Sequence, residues 1–185
     1  YFTEYRHVYD EAVRGPIVAL AEELEAEFGP AKVFRPNRDV RFRADKSPYK
    51  THQGAFVRVG EALGYYVEVS SSGVRAGVGF YRADPDRLAA YRSAVAGPAG
   101  DVLARLVADA VGSGLVLTGD TLKTAPRGYD RDHPRIDLLR HRSLTLMRDH
   151  GFAPIIHTPE ILDRVRADWR AGRPVVEWLE GALAV

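Results

Sequence analysis

The chain of 185 residues is long enough for one domain that buries roughly 70% of its unfolded surface. Its 26 Lys and Arg against 25 Asp and Glu leave a net charge of only +1, which removes any global electrostatic case for nucleic acid or an anionic membrane. It contains no cysteine, so disulfides, thiolate metal sites and cysteine nucleophiles are excluded together.

No apolar run approaches the ~20 residues of a membrane helix, and no secretory signal precedes the first helical pattern. The expectation is a cytoplasmic protein with no membrane partner. Tyr1 in place of Met points to a natural N-terminus further upstream.

Residues 3–28 read as helical, with Ile17, Leu20, Ala21, Leu24 and Phe28 on one face and Glu22, Glu23, Glu25 and Glu27 mostly on the other. Gly15-Pro16 predicts a kink or break, and Gly29-Pro30 a stop. A short strand is expected over 31–35 and another over 55–59.

Between them lies the first unusual stretch, residues 35–50. It carries Arg35, Arg38, Arg41, Arg43, Lys46 and Lys50 against Asp39 and Asp45, a local charge of +4 in a chain whose remainder sums to −3. Asn37 and Asp39 suit side-chain-to-backbone turns, and Ser47-Pro48 favours a non-helical backbone.

Residues 64–70 and 74–81 are β-branched or aromatic runs joined by Ser71-Ser72-Gly73, the pattern of a hairpin. Tyr66, Glu68 and Ser70 should face one way, and Tyr65, Val67 and Val69 the other. Gly77 and Gly79 leave one strand face bare for a close neighbour, either a packed helix or a ligand, with the helix the more expected.

Asp84-Pro85 opens a helix that runs to Gly97. A second helix follows over 98–111 on the stripe Val102, Leu103, Leu106, Val107 and Ala110, and then a strand over 115–118.

The second unusual stretch is residues 119–140, a loop broken by Pro126, Gly128 and Asp130. A helix is expected to start near Pro134, capped by Asp132 or His133. A strand over 143–148 precedes a last helix from Thr158-Pro159-Glu160, which Arg173-Pro174 should break.

Arginine forks grip phosphate and carboxylate in bidentate fashion, so the basic stretch is a candidate anion site. The alternative is a loop tied down by ion pairs to acids such as Asp132 and Asp137. Phe42 and Tyr49 interleave with the cations as stacking partners for nucleic acid would, but the patch is short and the chain is not basic overall.

Asp132 beside His133 offers a general acid or base, with Asp137 one turn on if a helix begins at Pro134. The competing reading is helix capping by Asp132, with His133 bonded to the backbone. One imidazole and two carboxylates are too few for a metal site, so neither metal nor cofactor is expected. The remaining histidines, His7, His52, His141, His150 and His157, form no ligand spacing.

Residues 37–51, Asn37-Arg-Asp-Val-Arg-Phe-Arg-Ala-Asp-Lys-Ser-Pro-Tyr-Lys-Thr51, resemble the signature of the bacterial and fungal family catalogued as domain of unknown function 2461. Gly64-Tyr-Tyr-Val-Glu-Val follows in register. So do Gly119-Asp-Thr-Leu-Lys through Pro126-Arg-Gly-Tyr and Asp132-His-Pro-Arg-Ile-Asp-Leu-Leu. The resemblance implies a stand-alone α+β domain and carries no established reaction.

The fold expected is therefore a single α+β domain over 1–185, a mainly antiparallel sheet with a central hairpin packed on helices. The expected function is binding of a small phosphate- or carboxylate-bearing ligand. Arg35, Arg38, Arg41, Lys46, Tyr49 and Lys50 of the first stretch, with Lys123 and Arg127 of the second, are the candidate ligand residues. Asp132 and His133 are the candidate proton carriers, and whether a reaction is catalysed stays open. The second reading is a non-catalytic structural or interaction domain whose arginines form an internal ion-pair network.

Overall fold

In the computed structural model, which describes residues 7–36 and 51–184, the first helical pattern forms a helix that Gly15-Pro16 does not break. A π-helical turn over Asp10–Arg14 leads directly into α1, Gly15–Phe28. The Gly15 amide donates to the Asp10 carbonyl five residues back, so the register slips one residue ahead of the proline that has no amide to give. Ile17, Ala21, Leu24 and Phe28 are buried as the spacing requires. Gly29, at φ 96°, ends the helix by donating to the Glu25 carbonyl.

Six strands build one antiparallel sheet: β1 (Ala31–Val33), β2 (His52–Gly60), β3 (Leu63–Ser70), β4 (Gly73–Phe80), β5 (Val116–Thr118) and β6 (Leu144–Gly151). Their order across the sheet is β1-β2-β3-β4-β6-β5. The helices are α1, α2 (Pro85–Ala96), α3 (Ala99–Gly112), the short α4 (Ile136–Leu139) and α5 (Glu160–Leu183). This is the expected α+β class. None of the described helices is long and apolar enough to cross a membrane.

The described residues fall into two compact units that interleave along the chain. The first draws on Tyr1–Arg58, Tyr66–Ala76 and Asp149–Arg166, the second on Val59–Tyr65, Gly77–Arg148 and Ala167–Val185.

Within the first unit, β1 registers Ala31 on Val57 and Val33 on Ala55. Gln53, fully buried, is satisfied at both ends of its amide. Its Nε2 donates to the Phe34 carbonyl at 2.7 Å, and its Oε1 accepts from the Tyr9 hydroxyl. One side chain thus joins the π-helical turn's edge to the end of β1. Along β3 the expected alternation holds: Val67 is buried, while Tyr66 and Glu68 meet on the other face, hydroxyl to carboxylate, at 2.6 Å.

In the second unit, aromatic rings form the centre. Phe80 and Tyr91 meet edge-on at 5.4 Å between centroids, and Tyr91 meets Trp178 edge-on at 6.4 Å. The buried Tyr91 hydroxyl donates to the Leu138 carbonyl at 2.9 Å, and burial pushes the phenol's pKa up, so it stays a donor. Asp84 caps α2 as its sequence position predicts, accepting from the Arg87 amide at 2.9 Å.

Three local expectations give way. Gly77 and Gly79 face neither helix nor ligand: a Cβ at either would lie about 2 Å from carbonyl oxygens of β6, at Leu146 and Leu144. The close helix approach is made by the helix's own glycine instead, with Gly172 set against Val78.

Pro174 does not break α5, which runs unbroken through it. The proline lies on the exposed side, where solvent reaches the backbone and a missing amide costs least. The helix expected near Pro134 starts only at Ile136, with Arg135 at its N-cap and no side-chain capping bond from Asp132 or His133.

Two arginines hold the second unit by geometry that lysine cannot copy. The Arg135 guanidinium donates from Nε to the Val95 carbonyl at 2.7 Å and from Nη2 to Ala96 and Gly97 at 2.9 and 3.1 Å, and its Nη1 pairs with Asp101. It thereby satisfies the open carbonyls at the end of α2. Arg148 Nε lies 2.8 Å from the Asp168 carboxylate, an ion pair without an aligned hydrogen bond, and its Nη2 donates to the Ser113 carbonyl.

Arg135→Ala should cost about 3 kcal/mol, from several charge-assisted bonds lost at once, and lower Tm by about 6–12 °C. Arg135→Lys should recover little of this in a thermal melt, because one ammonium cannot serve three carbonyls and a carboxylate. Arg148→Ala takes a guanidinium away from the buried Asp168, 3% exposed, and urea unfolding should show a loss of about 3 kcal/mol that Asp168→Ala in the same chain partly restores.

His141, 6% exposed, donates from Nδ1 to the Ser143 carbonyl at 2.8 Å, and burial holds its pKa below the usual histidine value. The unfolded chain therefore takes up a proton that the fold refuses. Stability should fall as pH drops below about 6.5, the unfolded value, until the folded ring also titrates. His141→Gln should lose less stability than the parent between about pH 7.5 and about pH 5.5 in urea titrations.

Candidate functional site

The sequence-predicted ligand residues separate into three groups. Arg38, Arg41, Lys46, Tyr49 and Lys50, with Arg43, lie outside the described residues. Arg35 is described, as an exposed residue two positions beyond β1 in the first unit. Lys123, Arg127, Asp132 and His133 belong to the second unit, within the loop 119–140.

That loop is ordered by its own backbone. Its two ends are stitched together: the Leu122 amide donates to the Arg140 carbonyl at 2.8 Å, the Arg142 amide to Asp120 at 2.7 Å, and Thr121 bridges His141. Ser143 Oγ accepts from the Asp120 amide at 2.8 Å. At Gly119, φ 129°, a Cβ would strike the Ser143 carbonyl, so only glycine fits.

Inside the loop, turns close from Tyr129 to Pro126, His133 to Asp130 and Ile136 to His133. From α2, Tyr91 and Arg92 donate to the carbonyls of Leu138 and Leu139, while Arg135 anchors the opposite side. A polar segment that is costly to order by composition is thus ordered by backbone pairing and by arginine and tyrosine donors.

A pocket of about 590 Å³ opens against this loop. Its cationic walls are Lys123, Arg131 and Arg140, and the rest are Thr124, Ala125, Tyr129 and Ile136. Among the described residues no carboxylate stands in the walls. Arg140 is steered by its Nε bond to the Leu122 carbonyl at 2.7 Å. Its Nη1 lies 3.8 Å from Asp137, a carboxylate 91% exposed, which neutralises it weakly. Among the described residues no carboxylate lies within ion-pair distance of Lys123 or Arg131. Three cations around one cavity repel each other, and an anion relieves that repulsion.

Of the residues named from sequence, Lys123 lines this pocket and Arg127 does not; Arg127 is exposed elsewhere on the loop. Asp132 is exposed, and its amide donates to Asp130 Oδ1 at 2.9 Å. His133 Nδ1 accepts from the Arg135 amide at 3.0 Å, which assigns the ring's proton to Nε2.

Sequence reading missed Arg131, Arg140 and Tyr129. Their signal was present as basic and aromatic residues in the same polar stretch, but side-chain direction decides which of them face one cavity. Among the described residues no group of three or more histidine, aspartate or glutamate side chains is placed to hold a metal ion.

A second polar cluster lies in the first unit. Glu68, largely buried, accepts from Tyr66, lies 3.6 Å from Arg75 Nη1 and 4.0 Å from His52 Nε2. Burial first, and the bond to Glu68 second, push the Tyr66 phenol's pKa up. Gly54 leaves room for that hydroxyl, which would sit 2.9 Å from a Cβ there.

No curated protein and no solved structure matches the chain. The family model described as conserved hypothetical protein (DUF2461) matches residues 1–178, nearly the full length. The chain therefore belongs to the DUF2461 family.

Proposed function

We propose that the protein binds a small molecule bearing phosphate or carboxylate groups, seated in the loop pocket on Lys123, Arg131 and Arg140. The observation that supports this reading is a cavity with three cations and, among the described residues, no acid in its walls. Its volume falls within the range of about 300–1,000 Å³ typical of small-molecule sites. Tyr129 and Ile136 supply a face for the organic part of such a ligand, and Thr124 a hydroxyl.

Arg35, Arg38, Arg41, Lys46, Tyr49 and Lys50 are proposed as anion-binding residues in their own right, on the strength of the +4 charge concentrated over 35–50. Arg127 adds to the positive field of the loop. Asp132 and His133 are the proposed proton carriers if the ligand is turned over.

The alternative, an internal ion-pair network, accounts for Arg135 and Arg148, which hold the fold. It does not account for Lys123 and Arg131, which meet no carboxylate among the described residues.

Thermal unfolding against inorganic phosphate, nucleotides, sugar phosphates and di- and tricarboxylates tests the proposal. At ~100 times its dissociation constant, a true ligand adds about 2.7 kcal/mol, a rise in Tm of about 5–11 °C. Lys123→Ala and Arg131→Ala should abolish that rise while leaving the unliganded Tm within about 2 °C, since both side chains are exposed. Arg38→Ala and Arg41→Ala measure the contribution of the basic stretch separately. No saturable shift from any of these anions would sink the reading.

A further inference from the structure

A second cavity lies in the first unit, lined by none of the residues of the loop pocket. A chamber of about 660 Å³ runs between α1 and the β3–β4 hairpin. Ile17 and Leu20 of α1, Val67 and Val74 of the hairpin, and Ile156 and Leu162 beyond β6 are among its walls. At its side lies Phe152, 59% exposed although it is a large aromatic ring. The walls are mainly apolar, with Glu23 and His157 as ionisable exceptions, and such a surface gains by receiving hydrocarbon.

A smaller chamber of about 310 Å³ adjoins it, and the two share Val13, Val69 and Ser70 as walls. The smaller one is polar: Thr51, Ser70 and Ser71 bring hydroxyls, and His52 brings an imidazole. Among the described residues no acid is among its walls. Gln53 contributes only surface, since its amide is spent on Phe34 and Tyr9. His52 has Glu68 4.0 Å from Nε2, and that carboxylate is already engaged by Tyr66 and Arg75. At 4.0 Å that carboxylate lies beyond hydrogen-bond reach, so the His52 ring can turn its N–H to a second partner.

An apolar chamber beside a hydroxyl-rich one with no acid among its described walls fits an amphipathic molecule with a hydrogen-bond-accepting head. We infer that this paired cavity binds an aliphatic carboxylate, the chain lying between α1 and Phe152 and the head group meeting His52, Thr51 and Ser70.

The test is calorimetric titration of the full chain with octanoate, decanoate and laurate, below the concentrations at which they form micelles. Affinity should rise about three- to fourfold for each added methylene, the increment of hydrocarbon leaving water. Ala19→Trp fills the chamber from an exposed helix position on its wall and should abolish binding, with circular dichroism confirming the fold. Phe152→Ala, at an exposed site that cannot unfold the core, should weaken decanoate several-fold.

Decanol should bind at least tenfold more weakly than decanoate, and His52→Gln should bring decanoate to the level of decanol. Affinity that ignores chain length, or survives Ala19→Trp unchanged, overturns the inference. So does binding that Lys123→Ala abolishes, because the carboxylate would then sit in the loop pocket. The anion reading of that pocket stands or falls on its own variants.

Discussion

The second unit depends most on a single guanidinium. Arg135 reaches from the end of the polar loop to three carbonyls where α2 terminates and to Asp101 in the first turn of α3. A helix end presents carbonyls that water must otherwise satisfy, and a planar cation with several donors serves them together. The contact fixes the corner between α2 and α3 and the direction of the loop in one stroke. The same corner requires Gly100, because a Cβ there would lie 1.9 Å from the Val95 carbonyl oxygen and 2.6 Å from Arg135 Nε. α4 follows directly in the chain, and Tyr91 and Arg92 donate to its last carbonyls, Leu138 and Leu139.

This division of labour among cations gives the loop its chemical character. Arg135 and Arg148 are consumed by backbone carbonyls and aspartates, and Arg142 pairs with Asp120 at 2.7 Å. Lys123, Arg131 and Arg140 are left around a cavity whose other described walls are neutral. Basic residues of one composition therefore serve two ends, and only their surroundings distinguish them. In the first unit the pattern is different: one carboxylate, Glu68, is the hub on which a phenol, a guanidinium and an imidazole converge.

Much of the fold was legible residue by residue. The hairpin over β3 and β4 followed from alternation and from Ser71-Ser72-Gly73, and α2 from Asp84-Pro85, because these signals act over a few residues. Breakers were less reliable. Gly15-Pro16 was absorbed by a π-helical turn and Pro174 by an exposed helix face, since a proline's cost depends on whether its neighbours can re-satisfy the backbone. Gly77 and Gly79 announced a close approach without saying to what, and the answer is the backbone of β6, more than sixty residues away.

By itself the sequence determined the α+β class, the hairpin, the starts of α2, α3 and α5 and the place of the two polar stretches along the chain. It also determined the likeness to its family, since local propensity and residue pattern carry all of these. Only the tertiary structure decided that Lys123, Arg131 and Arg140 share a cavity while Arg135 is locked into carbonyls. It likewise decided that His52 stands between Glu68 and a chamber continuous in its walls with an apolar one. The physical reason is that charge and volume are properties of a residue, whereas partnership is a property of distance, and distances between remote segments exist only once the chain has packed.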